Sequence, residues 1–384
     1  MSEMRERTGE VLSNCKRVVI KVGSAVLTTE NGLDLRVVNR LADQISALHD
    51  QGLDVVLVTS GAVAAGRRAT IHCKECDPDD NLAARQAVSA IGQSRLMHEY
   101  DEAFHRYGKT TAQVLLTRGD FGDRSRFLNA RNTLRTLLDW RAIPVINEND
   151  TVAVAELKFG DNDVLAAMVI SLTEADLFVN LTSADGVYTA NPDEDRTARP
   201  IRAIEDIMTL DIETMCRGKT GAGSGGMYSK LVSARRAAQL GVPTLIVSGH
   251  TPYALERAFA NEDMGTWVLP SEQPIAKRKF WLAYHKKPEG EVWIDQGAAE
   301  AVAERGKSLL AAGVVRVEGD FPEGALVRIL NFQGQTVGVG LSNYASSDLQ
   351  RVMGLKTEHM GKVLGPGIHP EAIHRDNMLV DPAL

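Results

Sequence analysis

The run RVVIKVG, Arg17 to Gly23, decides how this chain is read: β-branched apolar residues fill it, and Lys21 stands near its end. That is a strand pattern. The next segment, Asp34 to Gln51, places Leu35, Val38, Leu41, Ile45 and Leu48 at the three- and four-residue spacings of a helix face, and Gly52 follows as a stop signal. The strand pattern then returns in DVVLVTSGA, Asp54 to Ala62, and again in TAQVLLT, AIPVINEND, DLFVNLTSADG and PTLIVSG, as far as Gly249. Strand followed by helix, repeated, predicts an α/β fold: a mostly parallel sheet sandwiched by helices.

In such sheets ligands bind outside the carboxyl ends of the strands, so the residues after each run carry the functional information. The first run leads into Gly23 and Ser24, the second into Thr59 to Ala62, and AIPVINEND ends in Asn147 to Asp150. Small, polar and acidic residues gather at one edge.

Beyond about Phe280 the pattern changes. HKKPEGE is a polar, proline-bearing linker candidate, and VVRVEG, ALVRIL and TVGVGLSNY read as strands between glycine-containing turns, with one clear helix from about Ala298 to Leu310. The expected organisation is an N-terminal extension over 1–16, an α/β domain over 17–280, a linker over 281–288 and a smaller β-rich domain over 289–384.

Composition narrows the function. With 384 residues, 44% hydrophobic and 24% charged, the chain can bury cores for two domains or three, and its net charge of −7 gives no electrostatic reason to expect nucleic acid or an anionic membrane as the main partner. The N-terminal segment MSEMRERTGEVLSNCKR has no signal-peptide core, and nowhere do about eighteen apolar residues run together. A cytoplasmic protein with a small-molecule substrate is expected. The 4 cysteines make no disulfide framework. Cys73 and Cys76, in HCKEC, have the spacing of half a zinc site, but no second such pair exists and a surface loop accounts for them.

The glycines of GAGSGGMYSK, Gly221 to Lys230, cost chain entropy unless backbone must approach a ligand closely. Gly221, Gly223 and Gly226 satisfy GxGxxG, yet the polar helical segment IETMCRGKT precedes them where a dinucleotide fingerprint needs a strand. The phosphate-binding loop with Gly-Lys-Ser/Thr also fails for want of its first glycine. A different set remains: Lys21, Gly61, Gly225, Gly226 and Lys230, glycine N–H groups and two lysines suited to a polyphosphate. FGDNDVLAA adds Asp161, Asn162 and Asp163 at a helix start, where one can cap the helix and the others orient lysines or hold substrate.

Taken in order, VVIKVGSAVLT, VTSGAVAAGR, IGQSRL, LLTRGDF, RFLNARNTLRTLL, PVINENDTVA, KFGDNDVLAA, DGVYTANP and GSGGMYSK resemble the amino acid kinase family over nearly the whole chain. IDQGAAEAVAERGKSLLAAGV resembles a PUA domain. Within the family the blocks are similar to the members that use ATP and Mg²⁺ to phosphorylate the γ-carboxylate of L-glutamate at the head of proline biosynthesis. The resemblance implies that Lys21 and Lys230 contact ATP phosphates and that Ser60, Gly61, Asp150 and Asn162 bind glutamate. Residues Ser224, Gly225, Gly226, Met227, Tyr228, Ser229 and Lys230 would form a nucleotide loop, joined by Thr182 and Ser183, while Asp161 and Asp163 organise the centre, Asp163 holding both lysines. It departs in one place: the family typically has Asp after the Thr that ends the strand, and here Ser183 follows Thr182.

The resemblance also implies a homo-oligomer, proline as a feedback inhibitor and hand-off of product to glutamate-5-semialdehyde dehydrogenase. Kinases of carbamate, aspartate or nucleoside monophosphate remain alternatives, as does an RNA-binding protein acting through the PUA domain. The segment Pro288 to Leu384 carries 8 Lys and Arg against 13 Asp and Glu, the wrong sign for RNA binding, so RNA is not an expected partner.

Overall fold

The computed structural model describes residues 2–30, 32–70, 81–153, 162–192, 194–216, 226–285, 287–365 and 368–380. The chain divides into two compact units, Met1–Pro274 and Ile275–Leu384.

The first unit is built on an eight-stranded sheet. In chain order its strands are β1 (Arg17–Val22), β2 (Asp54–Val58), β3 (Thr111–Leu116), β4 (Ile143–Glu148), β5 (Leu177–Thr182), β6 (Ala203–Ile204), β7 (Thr244–Ser248) and β8 (Thr266–Val268). Across the sheet they lie β6-β8-β7-β5-β1-β2-β4-β3, and all neighbours are parallel except β7 and β8. The expectation of a mostly parallel sheet holds. From β1 the chain builds outward on one side through β2 and β4, then returns to place β5 on the other side, so β1 is the point where strand order reverses. A crevice opens at such a point.

Both faces are covered, as alternation along β1 requires. Val18, Ile20 and Val22 share a core with Val38, Leu41, Ile45 and Leu48 of helix α1 (Leu35–Asp50), which Asp34 caps by accepting from Arg36 N–H. Val19 points the other way, into a core with Leu134 and Leu138 of the helix Arg124–Asp139 and with Leu165, Met168 and Val169 of the helix Asn162–Thr173. Position 21 lies on the Val19 face. This parity decides where the lysine goes.

Two further helices bring loops to the crevice: α2 (Ala62–Ala69) and α3 (Leu82–His105). They touch backbone to backbone, since a Cβ on Gly92 would lie 1.7 Å from the Ala62 carbonyl oxygen. Gly61 caps α2 at φ +99°, a left-handed conformation that glycine adopts without a steric cost. The helices α4 (Arg124–Asp139), α5 (Asn162–Thr173) and α6 (Met227–Gln239) complete the set that positions the site.

The second unit carries a five-stranded sheet of β9 (Gly290–Ile294), β10 (Val314–Glu318), β11 (Leu326–Leu330), β12 (Thr336–Leu341) and β13 (Met378–Val380), ordered β10-β9-β11-β12-β13. The β-rich reading agrees with this, but the single expected helix does not. Gln296–Ala303 is shorter than anticipated, and Ser346–Val352 and Thr357–Leu364 are further helices. The first stops because Gly306 turns at φ +57° and Leu309 bridges to Ile373. The other two are short amphipathic turns whose Leu349, Val352 and Met360 enter the core. The two units divide ahead of the 281–288 segment singled out as a linker, and the helix Lys277–His285 runs into that segment.

Candidate active site

Lys21 is the one charged residue inside a strand whose other inward positions are aliphatic, and it is only 1% exposed. A buried ammonium must be paired. Its partner is Asp163, in the first turn of α5: Lys21 Nζ lies 2.5 Å from Asp163 Oδ1. Lys230, one turn into α6, approaches the other oxygen, with Nζ 3.2 Å from Oδ2. Asp163 itself is wholly buried.

Two neutral donors complete this carboxylate. Asn180 on β5, paired in register with Lys21, donates from Nδ2 to Oδ1 at 2.8 Å, and Ser229 Oγ donates to Oδ2 at 2.7 Å. Each oxygen therefore receives one ammonium and one neutral group. Among the described residues two lysines face this one carboxylate, and a positive charge in a low-dielectric site acts strongly on an anion placed beside it. The cluster is suited to a polyphosphate.

A second cluster, without charge, begins one residue earlier. Asn162 Nδ2 reaches the Thr59 carbonyl oxygen at 2.5 Å, Ser60 Oγ at 2.9 Å and Asn147 Oδ1 at 2.9 Å. Asn147 in turn donates from Nδ2 to Gln93 Oε1 at 2.8 Å. Helix α3 presents Gln86, Ser89 and Gln93 at spacings of three and four, hence on one face. They bond the Ala153 carbonyl oxygen at 2.9 Å, Asp150 Oδ2 at 2.6 Å and Asn147 respectively. This polar stripe holds the loop after β4. Beyond it, Tyr100 hydroxyl and Thr59 Oγ1 are 2.8 Å apart in the core, where burial pushes the phenol up from its ordinary range.

The structure thus brings Lys21, Lys230, Asp163 and Ser229 together in one group, and Ser60 and Asn162 in another, with Asp150 tied to α3. Gly61 supplies the start of α2. Thr182 is buried at the end of β5, its carbonyl accepting from Gly249 N–H, and Ser183 beyond it is exposed. Gly226 caps α6, and Met227 and Tyr228 pack partly against the core on that side. Asp161, Ser224 and Gly225 lie outside the described residues, as do Cys73 and Cys76.

Sequence reasoning missed Asn180, Ser89, Gln93 and Tyr100, and noted Asn147 only as part of the polar edge that follows its strand. The signals were present: an amide inside the otherwise apolar run LFVNLT, and polar side chains at helical spacing in RQAVSAIGQ.

A buried carboxylate bridges two lysines at the switch point of the parallel sheet, an arrangement suited to phosphoryl transfer, and the sequence pattern of the amino acid kinase family matches residues 16–248. The chain belongs to the amino acid kinase family. A PUA domain pattern matches residues 290–364. The glutamate 5-kinase of Maridesulfovibrio salexigens is 56% identical over 375 residues, covering 98% of this chain and 99% of the relative. That of Oleidesulfovibrio alaskensis is 57% identical over 97% of each chain. The glutamate 5-kinase of Geobacter sulfurreducens is 46% identical over 96% of this chain and 99% of its own.

Proposed function

We propose that this chain transfers the γ-phosphoryl group of ATP to the γ-carboxylate of L-glutamate, giving L-glutamyl 5-phosphate in the first step of proline biosynthesis. Near-full-length identity to glutamate 5-kinases supports the substrate. The observation that carries the chemistry is the Lys21–Asp163–Lys230 cluster beside the neutral Asn162 group.

The nucleophile is a carboxylate, already anionic at neutral pH, so no general base is required. One of its oxygens forms a bond to the γ-phosphorus while the bond from that phosphorus to the bridging oxygen breaks, and ADP leaves with the electron pair. Two anions must approach, and charge spreads over the equatorial oxygens in the transition state. Lys21 and Lys230 meet that charge from two sides, with Asp163 fixing both ammonium groups. Ser60, Gly61 and Asn162 hold the glutamate, and Asp150 pairs with its ammonium group. Gly226 to Ser229, with Thr182 and Ser183, face the nucleotide.

Both Asp163 oxygens are taken by lysines and neutral donors, and among the described residues no group of three or more His, Cys, Asp or Glu is placed to hold a metal ion. Mg²⁺ bound with the nucleotide would supply charge neutralisation at the phosphates, which Lys21 and Lys230 would continue from the protein side.

The product is a mixed anhydride that cyclises readily, which favours hand-off to a reducing enzyme, a glutamate-5-semialdehyde dehydrogenase. Proline, which like glutamate carries an α-carboxylate and an α-ammonium, competes at the Asp150 pocket. The active form is a homo-oligomer in the cytoplasm, and no helix among the described residues is long and apolar enough to cross a membrane.

The test is hydroxylamine trapping of acyl phosphate with ATP, Mg²⁺ and glutamate. Hydroxamate that depends on both ATP and glutamate supports the reading. Equal yield with carbamate or aspartate, or none with glutamate, removes it.

A further inference from the structure

We propose that Asn180 is a positioning residue for phosphoryl transfer, acting through Asp163. The inference rests on the reading above. Asn180 sits on β5 opposite Lys21 of β1, on the same face of the sheet, and its Nδ2 shares Asp163 Oδ1 with the Lys21 ammonium. Ser229 does the same for Oδ2 and Lys230. A carboxylate held only by two long lysine side chains could rotate about Cβ–Cγ and drag both ammonium groups with it. A rigid amide on the strand stops this, and it does so without adding charge.

A cost marks the residue as functional. Asn180 is wholly buried, and among the described residues its Oδ1 has no hydrogen-bond partner. An unpaired buried carbonyl is destabilising, whereas an apolar side chain of the same size in a buried strand is not. Phe178, two residues earlier on the same face and equally buried, shows what the fold alone selects at such positions. Local rules broken without a gain in packing point to function.

Asn180→Leu and Asn180→Ala separate the two roles, because one fills the space and the other empties it. Both lose the bond to Asp163 Oδ1 and are expected to lower Tm, Leu by less than Ala because it fills the space that Ala empties. Both are expected to lower kcat by about ten- to hundredfold, the range seen when the partner that orients a catalytic ligand is removed, with glutamate KM little changed. A kcat loss that tracks Tm across the pair, or a Leu variant with wild-type kcat, overturns the proposal. Should wild-type protein form no glutamate-dependent acyl phosphate, the proposed function falls, and nucleotide binding still decides Asn180. The rise in Tm caused by MgATP is expected to be smaller in both variants, and an undiminished rise overturns the inference.

Discussion

Asn162 and Asp163 are neighbours in sequence yet serve opposite sides of the crevice. Successive helical residues point about 100° apart, so the first turn of α5 sends Asn162 toward β2 and β4 and Asp163 toward β1 and β5. The Asn162 side is built of amides, hydroxyls and backbone carbonyls, with the one carboxylate of Asp150 at its edge bonded to Ser89. The Asp163 side is built of charges that are almost wholly buried. Neutral groups fix direction at low desolvation cost, whereas buried charges are expensive and are worth keeping only where charge develops in the reaction. Under the proposed function, binding falls to one side and rate to the other.

The largest effects should come from the charged side. Asp163→Asn leaves two buried ammonium groups without their counter-charge, and Lys21→Ala or Lys230→Ala removes a donor to the transferring phosphoryl group. Each is expected to lower kcat by on the order of 10² to 10³, with little change in glutamate KM. Steady-state kinetics at saturating ATP decide it. A lysine variant with near-native kcat would reduce that lysine to a structural ion-pair partner.

Asp150→Ala tests the other side. Loss of a charge-assisted contact to the substrate ammonium should raise glutamate KM by about ten- to hundredfold, as befits a hydrogen bond to a charged group, while kcat stays within about twofold. If kcat falls instead and KM holds, the two sides have been assigned the wrong way round.

How legible was this contrast beforehand? The sheet was readable because strand and helix periods alternate cleanly from Arg17 to Gly249, and the acidic cluster because three polar residues open an apolar helix. Lys21 drew notice as a charge near a strand's end, but its near-complete burial follows only from the parity of β1, which sets it on the α5 face. Asn180 was overlooked for a similar reason: an amide in an apolar strand can be seen in the sequence, but its meaning comes from lying in register with Lys21. The α3 stripe was obscured because Gln86, Ser89 and Gln93 look like the solvent face of an amphipathic helix until Gly92 draws α3 onto α2. In the second unit, Ser346–Val352 and Thr357–Leu364 span only about two turns each, too few for a helical pattern to stand out, so strands dominated the reading.

The smallest effect should come from behind the neutral side. Tyr100 is fully buried and its hydroxyl meets Thr59 Oγ1, while the Thr59 carbonyl accepts from Asn162. Tyr100→Phe keeps the ring and removes one buried hydrogen bond, a loss of about 1 kcal/mol, which lowers Tm by about 2–4 °C in a unit of this size. Thr59 Oγ1 retains the Ser60 carbonyl at 3.2 Å, so the loop keeps an anchor. Glutamate KM is then expected to shift by less than about twofold and kcat not at all. Thermal melts and kinetics on one preparation separate the two outcomes. A drop in kcat comparable to that of Asp163→Asn would mean that the neutral network also sets the charged one, and the division at Asn162 and Asp163 would fail.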